Sequence, residues 1–308
     1  MRTLVIGAGA VGGYFGGRLL EAKRDITFLV RPGRAGELAA RGLQIRSPFG
    51  DVSLPRPATV LAEDLASTFD LILLSCKAYD LEEAIRALAP AVGPETTILP
   101  LLNGMRHLDA LDAEFGAARV LGGRCLIAAT LNGQREIVHL NKGHTITFGE
   151  RDGRLSQRAA AIDSLMQGAI FDHKASPHIL LDMWEKWTFL ASLAGATCLL
   201  RGSIGEICAA PGGREFVLRL IEECRTIAAA AGFPLTPAAL ERTRTMLTES
   251  GSTLTASMLR DMEAGGAIEA DHVIGDLLRT AESPLLRLVY TNLKVYEARR
   301  PQTDPHPR

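Results

Sequence analysis

The feature that most constrains this chain is Gly7-Ala8-Gly9-Ala10-Val11-Gly12, a G-x-G-x-x-G spacing close to its start. Thr3 to Ile6, before it, is a short apolar and β-rich run. Tyr14 to Ala22, after it, carries apolar and small residues at helical spacing, and Ile26 to Val30 is a second apolar run. The order strand, glycine turn, helix, strand gives the motif a specificity it would lack in isolation. In that setting each glycine has a task. Gly7 permits the tight turn, Gly9 lets a pyrophosphate approach the backbone, and Gly12 allows close helix–strand packing. Free amides at the helix start, including those of Ala8, Ala10 and Val11, would face the phosphates. The expectation is a bound dinucleotide; a glycine turn without a ligand is the plainer alternative.

The end of the second strand selects between dinucleotides. An NAD site usually carries Asp or Glu about 20 residues after the glycines, bonded to the ribose 2′-hydroxyl. This chain has Val30-Arg31-Pro32-Gly33-Arg34 there, with no acid. A guanidinium pairs with a 2′-phosphate in forked geometry, whereas a carboxylate repels it. The reading is NADP(H), with Arg31 as the first contact and Arg34 the weaker candidate, set against two solvated surface arginines.

Two further apolar runs, Leu71 to Ser75 and Thr97 to Leu102, alternate with helical stretches such as Leu81 to Leu88, the pattern of a parallel sheet covered on both faces. Arg46 to Pro57, rich in Pro and Gly, reads as an excursion with a short strand pair. Asn132-Gly133 marks a hairpin and Lys142-Gly143 a second turn, so antiparallel strands are expected to finish the sheet between Gly122 and Gly149. From Leu155 the chain reads as helical: Leu155 to Gln167, Pro177 to Leu200, Glu215 to Ala231, Pro237 to Glu249, Ser257 to Glu263, Ile268 to Thr280 and Pro284 to Arg299. The expected class is α/β, an N-terminal Rossmann dinucleotide-binding domain (1–171) followed by an all-α C-terminal domain (172–300), with a disordered tail at 301–308.

Composition narrows the function. The 308 residues, 47% hydrophobic and 22% charged, carry 34 Lys plus Arg against 35 Asp plus Glu, a net charge of −1. That balance gives no electrostatic case for nucleic acid or an anionic membrane. The cysteines, Cys76, Cys125, Cys198, Cys208 and Cys224, form no C-x-x-C pair, and the histidines form no H-x-x-x-H. No zinc cluster, other metal site or disulfide framework is expected, and a reducing, cytoplasmic location is. The longest apolar run, Thr188 to Leu200, is too short to span a membrane. Met1-Arg2 with Thr3 to Gly17 could pass for a secretion signal, but its glycines suit a turn better than a helical signal core. The apolar helices of the second half could bury a homodimer interface or only their own core.

Five blocks in order carry a family resemblance. They are the glycine motif, Ser75-Cys76-Lys77-Ala78, Leu102-Asn103-Gly104-Met105, Trp184-Glu185-Lys186, and Ser257-Met258-Leu259-Arg260-Asp261 with Ile268-Glu269-Ala270-Asp271. From Met1 to about Tyr296 the chain resembles the ketopantoate reductase (2-dehydropantoate 2-reductase) family. The resemblance implies NADPH-dependent reduction of a 2-oxo acid to a 2-hydroxy acid, ketopantoate to pantoate in pantothenate biosynthesis. It also implies that Lys186 stabilises the developing alkoxide and donates the proton. Glu269 matches the acid near the nicotinamide ribose and could orient Lys186. Asn103 matches an asparagine at the nicotinamide end of a strand, able to fix cofactor or substrate. Lys77 and the backbone at Ala129 match cofactor contacts, and Ser257 matches a serine that holds the substrate carboxylate. Plainer readings stand beside these: an exposed helix lysine, a surface glutamate, a turn asparagine, and an N-cap at Ser257.

The match breaks one and two turns after Lys186, where the family has asparagines and this chain has Leu190 and Ala194. Losing two amides removes matched polar contacts, which can cost orders of magnitude in discrimination. Thr188, Ser192 and Thr197 could substitute in part. The leading expectation is therefore a ketopantoate reductase-like enzyme. A reductase or dehydrogenase for a less polar 2-oxo or hydroxy acid comes second, and a non-catalytic NADP(H)-binding sensor third.

Overall fold

The computed structural model describes residues 1–300, and the expected tail at 301–308 lies outside them. The chain divides into two compact units, Met1–Met183 and Trp184 onward. The first unit begins β1 (Thr3–Ile6), α1 (Ala10–Glu21), β2 (Ile26–Leu29), α2 (Pro32–Arg41), β3 (Leu43–Arg46), β4 (Val52–Leu54), β5 (Ala58–Val60), β6 (Leu71–Leu74) and α3 (Leu81–Leu88). It continues β7 (Thr97–Pro100), α4 (Arg106–Phe115), β8 (Gly122–Leu131), β9 (Ile137–Gly149), α5 (Gln157–Met166) and β10 (Asp172–Ala175). Strands β1, β6 and β7 are buried at every position, as their unbroken apolar runs require. They form a parallel five-stranded sheet in the order β5-β2-β1-β6-β7. The order reverses between β1 and β6, which places a ligand crevice at the carboxyl ends of these two strands.

The antiparallel strands do not finish this sheet, as the sequence had suggested. They build a second one, ordered β10-β9-β3-β4 with β8 paired to β9. The cause is the Arg46–Pro57 excursion. β3 turns back on β4 in antiparallel register and pairs in parallel with β9 through Ile45 and Ile137. Lys142-Gly143 is likewise no second turn. β9 runs through it and stays paired with β8 on both sides, with a register shift between Ile127 and Ala129. His139 Nε2 lies 3.0 Å from the Gly143 carbonyl and 3.1 Å from Asn141 Oδ1, closing the extra residues into a bulge.

Helix α1 lies between the two sheets, and its small residues make this possible. A Cβ on Gly16 would come 2.7 Å from the Phe28 ring of the first sheet. One on Gly13 would come 2.5 Å from Ile137 Cδ1, and one on Gly17 would come 2.7 Å from Ile45 Cδ1, both of the second. The bare stripes let one core cluster join Val5, Phe28 and Leu73 to Ile45, Ile137 and Ile146. Arg18, on the same helix, is fully buried; it donates to the Gly50 carbonyl at 2.6 Å and pairs with Glu21 at 2.9 Å.

The division between units falls at Met183, beyond the 171 read from the sequence. β10 pairs in parallel with β9 from Asp172 to Ala175 and so belongs to the first unit. It falls within α6 (Ile179–Leu200). The second unit continues α7 (Ile204–Ala209), α8 (Gly213–Ala230), α9 (Pro237–Leu247), α10 (Ser257–Glu263), α11 (Asp276–Thr280) and α12 (Pro284–Arg299). α6 packs on α8 and α12 at Gly195, where a Cβ would come 2.8 Å from Leu220 and 3.6 Å from Val289. The expected helix Ile268–Thr280 is not uniformly α: residues Asp271–Gly275 form a π turn ahead of α11. No helix among the described residues is long and apolar enough to cross a membrane.

His139 and His144 flank the β9 bulge and are both buried. The Tyr14 hydroxyl meets His144 Nδ1 at 2.8 Å, and Phe49 stacks on the His144 ring at 3.9 Å. Burial first, then the His139 and Arg18 charges, push the His144 imidazole below its ordinary value, against an opposing pull from Asp172. A base with a depressed native value binds fewer protons folded than unfolded. Stability should therefore be full above the unfolded-state value of about 6.5 and fall as the pH drops through the native value. Urea midpoints between neutral and mildly acid pH should decline with falling pH, and His144→Gln should flatten that slope.

Candidate active site

The glycine turn has the geometry the sequence asked of it. Gly7 takes φ of +87°, a conformation glycine adopts without steric cost. Gly12 has no room for a side chain, since a Cβ there would collide with Ser75 Oγ and the Gly7 carbonyl. Ser75 Oγ in turn donates to the Ile6 carbonyl at 2.9 Å, locking β6 to β1 at the turn. Gly9 is the N-cap of α1. No side chain caps the helix, its first turn holds no acid, and a Cβ on Gly9 would meet nothing within 4 Å. Uncapped amides beside open space are what a pyrophosphate needs. The residues fit a dinucleotide.

The other cofactor candidates of this unit separate into two groups. Arg31, Lys77 and Asn103 follow β2, β6 and β7, all at the carboxyl edge of the parallel sheet. Arg31 is the N-cap residue of α2 and its side chain is 49% exposed. Its guanidinium is already engaged, with Glu83 Oε2 at 2.6 Å and Asp80 Oδ1 at 3.1 Å. Lys77 and Asn103 are half-buried, and Gly104 after Asn103 has φ of +76°, so Asn103 opens a sharp turn off β7. Arg34 is packed inward with only 11% of its side chain exposed; it donates to the Ala8 carbonyl at 3.1 Å and pairs with Glu37 at 2.8 Å. It braces the glycine turn from behind. Ala129 stands apart on β8 of the second sheet, opposite His139 at the register shift.

In the second unit Lys186 and Glu269 sit on two segments tied by hydrogen bonds. Lys186 is half-buried on α6. The next residue, Trp187, donates its indole N–H to the Val273 carbonyl at 2.9 Å. The Val273 N–H donates to the Glu269 carbonyl at 2.9 Å. Glu269 itself is only 8% exposed, where a surface glutamate would be solvated. Asp271 anchors the π turn to α12, accepting from Tyr290 Oη at 2.6 Å and from Lys294 Nζ at 3.2 Å. π turns inside helices are frequent at functional sites. In the sequence Trp187 stood out only as a neighbour of Lys186 and Asp271 only as part of a matching block, and no signal pointed to Tyr290 and Lys294.

Leu190 is half-buried and Ala194 buried, one and two turns beyond Lys186. Two of the three hydroxyls that could have replaced the missing amides are spent. Ser192 Oγ donates to the Thr188 carbonyl at 2.8 Å and Thr197 Oγ1 to the Leu193 carbonyl at 2.7 Å, Thr197 also receiving the Ala256 N–H. The Thr188 hydroxyl is buried without a hydrogen-bond partner. Ser257 is exposed at the first position of α10, whose N-cap is Ala256, so it does not serve as the cap. Among the described residues no group of His, Cys, Asp and Glu could hold a metal ion.

A Rossmann sheet with a dinucleotide-binding turn, followed by a helical unit, is the frame of a dinucleotide-dependent enzyme, and the family matches make it an oxidoreductase that uses a nicotinamide dinucleotide on a CH–OH group. Residues 3–153 match the family model of ketopantoate reductase PanE/ApbA, and residues 178–297 match the model of its C-terminal domain. The chain belongs to the ketopantoate reductase family. It is 40% identical to the uncharacterized oxidoreductase YkpB of Bacillus subtilis (strain 168) over 303 residues, 97% of this chain and 99% of the relative. The solved 2-dehydropantoate 2-reductase of Geobacter metallireducens GS-15 superposes with a TM-score of 0.87 at 26% identity, covering 96% of this chain and 99% of that one. A ternary structure of D-mandelate dehydrogenase with NADH and anilino(oxo)acetate shares the fold, at a TM-score of 0.86 and 20% identity over 97% and 99% of the two chains.

The two glycines make a discriminating pair. Gly12→Ala should cost about 2–4 kcal/mol of stability, because backbone and Ser75 must both move. Gly9→Ala should cost within about 1 kcal/mol, yet weaken nicotinamide dinucleotide binding at least about tenfold by filling the space kept for phosphate. Thermal unfolding and calorimetric titration of both variants read the two effects separately.

Proposed function

We propose that this chain reduces a 2-oxo acid to a 2-hydroxy acid with NADPH, and that ketopantoate is the first substrate to try. When bound, the nicotinamide supplies a hydride to the ketone carbon. The chain's part is to hold, orient and protonate. Residues 7–12 receive the pyrophosphate on backbone amides, and Arg31 answers the 2′-phosphate. Lys77 and Asn103, at the carboxyl edge of the sheet, position cofactor and substrate. Lys186 stabilises the alkoxide as charge develops and gives it a proton, and Ser257 binds the substrate carboxylate. The observation that carries this reading is the bond from Trp187 to Val273. It joins the Lys186 turn of α6 to the segment that holds Glu269 buried, and a lysine serving only solubility needs no such anchor. We place the reaction in the cytoplasm, on the sequence's lack of any C-x-x-C pair or disulfide framework.

A second substrate reading rests on a specific observation. Leu190 and Ala194 stand on the Lys186 side of α6, and neither Ser192 nor Thr197 has a free hydroxyl proton to offer in place of an amide. That favours a less polar 2-oxo acid over one with a hydroxyl to be hydrogen-bonded.

Lys186→Ala should leave NADPH binding within about twofold and lower turnover by about 10²–10⁴, the range of a lost general acid. Initial rates followed by nicotinamide absorbance, with ketopantoate beside aliphatic and aromatic 2-oxo acids, test both readings. Turnover of ketopantoate supports the first; turnover confined to less polar acids supports the second. Turnover unchanged in Lys186→Ala rejects the assigned proton donor.

A further inference from the structure

Arg31 does not wait beside the cofactor edge as an isolated cation. Its Nη2 lies 2.6 Å from Glu83 Oε2 and 3.1 Å from Asp80 Oδ1, and its Nε lies 3.3 Å from Glu83 Oε1. The two carboxylates come from the chain after β6, and Arg31 from the chain after β2. In the sheet β1 lies between these strands, so the ion pair reaches across the carboxyl end of β1, beside the Gly7 turn. This is the crevice where the adenosine half of a dinucleotide lies in an open α/β sheet. Arg34, the second arginine after β2, is bound to the Ala8 carbonyl and Glu37, and Glu37 is shared with Arg135.

We propose that Asp80 and Glu83 are specificity-determining residues for the 2′ position of the cofactor, acting through Arg31. They balance its charge, so a 2′-phosphate must exchange with carboxylates instead of meeting an unpaired guanidinium, and the preference for NADP(H) over NAD(H) is narrowed. The inference rests on the reading of Arg31 as the 2′-phosphate contact. The reason is a difference between two ligands. The doubly charged phosphate feels both the competition for Arg31 and direct repulsion from two carboxylates. A 2′-hydroxyl feels neither strongly, and it can donate to a carboxylate. Arg31, Asp80 and Glu83 are partly exposed, with side chains 49%, 28% and 50% accessible. Exposed pairs of this kind contribute little to folding, so the groups can be changed without unfolding the protein.

The test is calorimetric titration of NADP+ and NAD+ into the wild-type protein and into Glu83→Gln, Asp80→Asn and Arg31→Ala. Glu83→Gln should tighten NADP+ about five- to tenfold and leave NAD+ within about twofold, the size expected for one carboxylate near a phosphate at a solvated surface. Asp80→Asn should act in the same direction and less, since it makes the single, longer contact. Arg31→Ala should bring the two dissociation constants together. A structural effect of the carboxylates would move both cofactors alike, so the NADP+ to NAD+ ratio is the decisive readout. If Arg31→Ala removes the preference but neither carboxylate variant changes the ratio, the inference is overturned and the cofactor reading stands. If Arg31→Ala leaves the ratio unchanged, the cofactor reading fails and takes the inference with it.

Discussion

The first unit depends on the packing of one glycine-striped helix between two sheets. α1 can approach β1 and β2 on one side and β3 and β9 on the other only because residues 12, 13, 16 and 17 lack side chains. That double contact fixes the helix direction. Its uncapped N-terminus is thereby held at the carboxyl end of β1, where the sheet order reverses. An anion site made of backbone amides needs no charged side chain, but it does need the helix held rigidly in place. The buried Arg18 and the interlocked Tyr14, His139 and His144 belong to this requirement, since they close the far face of α1 against the β9 bulge.

The second unit solves a different problem, which is to hold a lysine at a defined place on a long apolar helix. α6 is buried along most of its length, and its neighbours α8 and α12 approach closely at Gly195. The Lys186 turn is indexed against the π turn by one indole hydrogen bond, and the π turn is indexed against α12 through Asp271. The same helix carries the two apolar replacements at Leu190 and Ala194. In the proposed function the dinucleotide is held by the first unit, while the residues that would set substrate choice lie on α6 beside Lys186.

Much of this was legible in the sequence, because local patterns decide it. The glycine turn, the buried strands β1, β2, β6 and β7, and the bounds of α10 follow from periodicity, and those of α12 also from its Ser283 cap and Pro284. What was not legible depends on distant partners. The Lys142-Gly143 pair looks like a turn until β8 holds the chain in register on both sides. The second sheet arises from pairing Ile45 with Ile137, which no local signal announces. The ion pairs of Arg31 were not legible because Asp80 and Glu83 lie 49 and 52 residues away in sequence. Gly12, Gly13, Gly16 and Gly17 were visible, but their two four-residue spacings acquire meaning only once sheets are known to lie on both sides. Helices α2 and α4 were missed although their apolar residues recur at helical spacing, Ala35 and Leu38 in one and Leu108, Leu111 and Phe115 in the other.

The account turns on one claim: the amides at the start of α1 are the phosphate-binding element of a nicotinamide dinucleotide site. Backbone hydrogen exchange of the full chain, with and without saturating NADP+, tests it most directly. The account requires slowed exchange of the amides from Ala8 to Gly13 on binding, together with slower exchange after β2 around Arg31. Binding that leaves the residue 8–13 amides exchanging at the ligand-free rate, with protection elsewhere, would contradict it.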